Sequence, residues 1–128
     1  MKIVCYAKSE NQIAGRLEQI INAQARSYPK RICRSIEKLS RQLRQPFDST
    51  IMGVFMAADY RDLKRLLSIR HLFWDIPIIL IIPDLEEATL SMGHALEPRF
   101  LSCADESGLE DVAAVMKKMI NNLTRPTG

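Results

Sequence analysis

The segment Ile76-Pro77-Ile78-Ile79-Leu80-Ile81-Ile82-Pro83 contains no polar side chain. It is rich in β-branched residues and bounded by prolines, which favours a strand over a helix. It is also far shorter than the roughly 20 residues a membrane-spanning helix needs. A strand that is apolar on both faces must be covered on both faces. That is the condition of an internal strand in a parallel sheet with helices on each side.

The rest of the chain supplies such a sheet. Lys2–Ala7 and Thr50–Ala57 are apolar runs that read as buried strands, and Arg31–Ser35 and Arg99–Cys103 read as shorter ones. Apolar residues between and after them recur at helical spacing. Ile13, Leu17, Ile20, Ile21 and Ala25 mark a helix over about Glu10–Ala25, closed by Tyr28-Pro29. Ile36, Leu39 and Leu43 mark a second, which ends before Pro46. Leu63, Leu66 and Leu67 mark a third, and Ala88, Met92 and Ala95 a fourth. Leu109, Val112, Met116, Met119, Ile120 and Leu123 give the last helix the strongest stripe. Capping-box spacings at Ser9/Gln12, Asp84/Glu87 and Ser107/Glu110, together with Asp59 as an N-cap three residues before Asp62, predict four helix starts. The order is a strand–helix pair five times over. Right-handed crossovers then give a three-layer α/β sandwich, (βα)5, of flavodoxin-like type with a five-stranded parallel sheet in the order 2-1-3-4-5. The expected organisation is one domain over residues 1–123 and a C-terminal tail over 124–128.

Composition narrows the function classes. The 128 residues are 47% hydrophobic, enough for a real core, and the net charge of +3 is mild. Cys5, Cys33 and Cys103 form no CxxC, and His71 and His94 have no metal-spaced partner, so a zinc site is disfavoured. Five glycines without a GxGxxG or P-loop disfavour nucleotide binding. The apolar stretch Ile3–Ala7 is too short for a signal peptide, and the expectation is a cytoplasmic protein without membrane association.

Several strings narrow the fold further. Pro46-Phe47-Asp48 before an apolar strand, Leu63–Arg70 (LKRLLSIR), Ile76–Pro83 (IPIILIIP) and Met92–Ala104 (MGHALEPRFLSCA) together resemble the response-regulator receiver, or CheY-like, superfamily. The resemblance spans nearly the whole chain. It implies a two-component signalling domain whose chemistry needs an acidic pair after the first strand, an acceptor aspartate at the end of the third, a hydroxyl after the fourth and a lysine after the fifth. On the matching positions this chain has Ala7 and Lys8, then Gly53, Val54 or Phe55, then Ile82, then Cys103. No such position can hold a divalent cation or accept a phosphoryl group. The resemblance therefore implies a pseudo-receiver: not an enzyme, with no catalytic residue, metal or cofactor.

In the family the fourth helix, fifth strand and fifth helix form the usual partner face. Here that face would offer Met92, Phe100 and Val115 to a protein partner or a second copy. Phe100 stands where receivers carry a switching aromatic. Two other readings remain open. The vacant positions Ala7, Lys8, Ile82 and Cys103 could form a small-ligand or redox site, the latter if Lys8 lowered the Cys103 thiol pKa. The basic segment over residues 26–44, with Arg34, Lys38 and Arg41 on one helix side, could bind nucleic acid, although the lack of interleaved aromatics makes that partner unfavoured.

Overall fold

The structure, a computed structural model, describes residues 1–8, 11–46 and 51–125. Strands β1 (Lys2–Ala7), β2 (Lys30–Cys33), β3 (Ile51–Met56), β4 (Ile78–Ile82) and β5 (Phe100–Cys103) alternate with helices. These are α1 (Gln12–Gln24), α2 (Ile36–Arg44), α3 (Tyr60–Ser68), α4 (Glu87–Ala95) and α5 (Glu106–Thr124). A short 3₁₀ turn over Arg70–Leu72 follows α3. All strand pairs are parallel and the sheet order is β2-β1-β3-β4-β5, the (βα)5 arrangement expected from the sequence.

The alternation of side chains along each strand divides the core in two. Ile3, Cys5, Val54, Ile79 and Ile81 pack beneath α1 and α5, against Leu17, Ile21, Val112 and Met116. Val4, Tyr6, Phe55, Leu80 and Ile82 pack beneath α2, α3 and α4, against Leu39, Leu63 and Leu66. β4 sits inside the sheet and all five of its residues are buried, as its unbroken apolar sequence requires. Burying a residue such as Leu66 or Val112 in this way contributes about 1.5–3 kcal/mol each.

The helix starts differ from the capping boxes. Asp59 caps α3 as expected, its carboxylate accepting from the amide of Asp62 at 2.7 Å. At α1 the cap is Asn11, which accepts from the Ala14 amide, and Gln12 is already the first helical residue; Ser9 and Glu10 lie outside the described residues. At α4, Asp84 accepts from Glu86 in a turn before the helix, and the cap position, Glu86, makes no side-chain bond. At α5 the cap is Asp105, two residues ahead of the predicted Ser107. Gly108 explains that last choice. A Cβ there would lie 2.0 Å from the Cys103 carbonyl oxygen, so glycine lets the first turn of α5 close onto β5. Asp105 binds the Gly108 amide at 2.7 Å, and the Ser102 hydroxyl donates to the Gly108 carbonyl at 2.8 Å. β2 also ends earlier than predicted, because Ser35 leaves the strand to cap α2. α5 runs through Thr124, and residues 126–128 of the expected tail lie outside the described set.

Candidate functional site

In an open parallel sheet, ligands bind outside the carboxyl ends of the strands. Here β1 ends at Ala7 and β3 at Met56, and the two residues stand opposite each other in the register. Between them opens a recess of about 160 Å³ lined by Ala7, Lys8, Met56, Ala58, Pro83 and Ala104, among others. The small side chains make the space, and among the described lining residues Lys8 alone carries a formal charge. Asn11 also borders the recess, but its side-chain oxygen is engaged in capping α1.

Hard divalent cations need several oxygen ligands, usually carboxylates. Among the described residues the lining offers no carboxylate, and a lysine in it opposes a cation electrostatically. Asp59, the nearest acid in the β3–α3 loop, is held as the α3 cap. Among the described residues no group of three His, Cys, Asp or Glu side chains is placed to hold a metal ion. The residues described do not fit magnesium.

A second cation reinforces this end of β1. Arg34 donates to the Ala7 carbonyl at 3.3 Å and is ion-paired with Glu18 of α1. This corrects the placement of Arg34 on one side of a helix with Lys38 and Arg41. Arg34 precedes the α2 cap Ser35, and its guanidinium turns inward to α1, while Lys38 and Arg41 stay exposed on α2.

The other expected positions divide. Gly53, Val54 and Phe55 lie inside β3, buried, and do not reach the recess; the strand-end residue that does is Met56. Gly53 is constrained by packing instead, since a Cβ would approach the Phe55 ring and Ile78 at 2.9 Å. Ile82 and Cys103 are paired across β4 and β5 and border a different groove, of about 280 Å³, with Leu90, Leu101 and Asp105. The premise of a Lys8-activated thiol fails there. Burial and then the Asp105 charge push the Cys103 thiol above its ordinary value, leaving it less ionised at neutral pH. Phe100 of β5 and Val115 of α5 pack on the α1/α5 side of the sheet, and Met92 on the α4 side, so the three do not lie on one face of the sheet.

One polar pair escaped the sequence reading. Tyr6 donates its hydroxyl to Asp62 Oδ1 at 2.5 Å, and both side chains are 1% exposed. The other carboxylate oxygen accepts from the Ala58 amide at 2.9 Å. Asp62 therefore ties the β3–α3 loop, which walls the recess, to the middle layer. Burial, then the hydrogen bond and charge of Asp62, push the Tyr6 hydroxyl well above the ordinary tyrosine range. A tyrosine within an otherwise apolar strand was the available signal; its partner, 56 residues away, was not readable locally.

No family model matches the sequence. No curated protein matches it. Solved structures do match the fold. A CheY-like response regulator receiver domain protein from Methanospirillum hungatei superposes with a TM-score of 0.70 at 11% identity, over 95% of this chain and 94% of that one. A response regulator receiver protein from Pseudoalteromonas atlantica gives 0.70 at 14% identity, over 95% and 98%. The phosphorylated cyanobacterial phytochrome response regulator RcpA gives 0.61 at 12% identity, over 99% and 96%. The fold is that of CheY-like receivers, with the expected strand order.

Proposed function

We propose that this chain is a receiver-fold recognition module that docks a protein partner or a second copy of itself in a two-component-type pathway, and takes no phosphoryl group. The observation that carries the reading is the recess at the ends of β1 and β3, where the described lining residues are Lys8, Asn11 and apolar side chains and include no carboxylate. Phosphoryl transfer to an aspartate needs a nucleophile and a cation to neutralise developing charge. Met56 at the strand end is no nucleophile. On this reading the chain is not an enzyme, works in the cytoplasm, and signals by which surfaces it presents.

The docking face follows from the fold type: α4, β5 and α5, with Met92, Phe100 and Val115 at its margins. Sedimentation over a rising concentration range tests the homodimer form, and affinity capture with the immobilised chain tests the heterologous form. Association mapped by amide signals to α4, β5 and α5 is expected. A strict monomer that retains no protein through this face contradicts the reading. A small-ligand role for the recess is a secondary reading. Its volume of about 160 Å³ admits only a small group, below the ~300 Å³ at which ordinary ligand pockets begin.

A further inference from the structure

Beyond that reading, the opposite edge of the sheet carries a binding surface of its own. β2 is the last strand on its side and pairs only with β1 among the described residues. The Ile3 amide donates to the Pro29 carbonyl, which fixes the phase of the ladder. In a parallel ladder alternate residues of a strand face the same neighbour. Arg31 and Cys33 therefore face β1 with their backbone groups, and the amides and carbonyls of Lys30 and Ile32 point outward, away from the sheet.

The side chains add a pattern to this edge. Arg31 and Cys33 are in register with Val4 and Tyr6, so they lie on the α2 side of the sheet. There Arg31 joins Lys38 and Arg41 of α2 along a groove of about 230 Å³ whose other described polar residues include the neutral Gln42 and Gln45. Ile32 is in register with Cys5, on the α1 side, and is 41% exposed. The charge is concentrated here. Residues 26–45 hold seven of the chain's 18 Lys and Arg and one of its 15 acids, which leaves the remainder net acidic by three.

We infer that the β2 edge binds an extended acidic segment of a partner protein by strand addition, with acids on alternate residues facing Arg31, Lys38 and Arg41 and apolar residues beside Ile32. Strand addition supplies main-chain hydrogen bonds, and alternate side chains supply the selectivity. A second copy paired edge to edge would set these cations against each other, so self-association by this edge is disfavoured. Nucleic acid would use the cations but neither the outward backbone groups nor Ile32, and the described residues of the groove include no aromatic for base stacking.

The probe is an end-capped peptide of alternating glutamate and valine, titrated into the full chain and followed by amide NMR and fluorescence anisotropy. Saturable binding is expected, with the largest shifts at Lys30–Cys33 and α2 and with slowed exchange of the Ile32 amide. Arg31→Glu/Arg41→Glu, exposed positions whose change leaves the thermal midpoint near that of the parent, weakens binding at least tenfold. A peptide with proline replacing alternate valines binds at least tenfold more weakly. Three results overturn the inference: no saturable binding, equal affinity for the proline-bearing peptide, or tighter binding of an oligothymidine. Shifts confined to α4, β5 and α5 overturn it too, and leave the reading of that face standing.

Discussion

Replacing Tyr6 with phenylalanine removes one oxygen atom and leaves the Asp62 carboxylate, 1% exposed, with one of its two partners gone. A hydrogen bond to a charged group contributes about 1.5–3 kcal/mol, and a buried acceptor left unpaired loses the upper part of that range. Tyr6→Phe is therefore expected to lower unfolding stability at pH 7 by about 2–3 kcal/mol, read as a lower urea midpoint at unchanged slope. The double variant with Asp62→Asn should lose less than the two single variants together, because they share one bond. Alkaline pH gives an independent check. The Tyr6 hydroxyl is raised in the folded state, so its contribution is complete below the unfolded value of about 10 and lost as pH rises beyond it. Each further pH unit removes about 1.4 kcal/mol from the parent and nothing equivalent from Tyr6→Phe. The gap between the two proteins should narrow above pH 10. Cys5, pushed up to about 12 chiefly by burial, titrates in both and cancels from the difference. A loss under about 0.5 kcal/mol, the size of an ordinary surface change, refutes the reasoning.

Other substitutions follow from the same geometry. Gly108→Ala drives a methyl group into the Cys103 carbonyl and should cost about 2 kcal/mol or more in a thermal or urea melt. Asp105→Ala should cost about 1 kcal/mol and Ser107→Ala no more than about 0.5 kcal/mol; the reverse order would restore Ser107 as the α5 cap. Alkylation of Cys103 should be slow at pH 7 and accelerate only above the ordinary thiol range near 9, with Cys103→Ser leaving partner binding intact; fast labelling at neutral pH would contradict the burial argument.

How much was legible in the chain depended on whether the signal was local. The run Ile76–Pro83 announced an internal strand because covering both faces leaves no other place for it, and β4 occupies that place. The stripes of α1 to α5 were readable for the same reason. Caps were less so, because a run such as Asp105-Glu-Ser107 offers more than one capping side chain. The choice is made by the approach of Gly108 to β5, a contact between elements. Gly53, Val54 and Phe55 were aligned from flanking strings, which leave the frame loose by a few residues. The register places Met56 opposite Ala7 at the end of β3. Arg34 was placed on a helix that begins after it, since nothing in the sequence shows that its charge is answered by Glu18.

The central proposal is that this chain keeps the receiver fold but takes no phosphoryl group. Incubation of the chain with magnesium and acetyl phosphate, followed by intact mass spectrometry, tests it most directly. An unchanged mass is predicted under conditions that label a receiver carrying the full acidic set. Gain of one phosphoryl group, mapped to an acidic side chain at the carboxyl edge of the sheet, would contradict it.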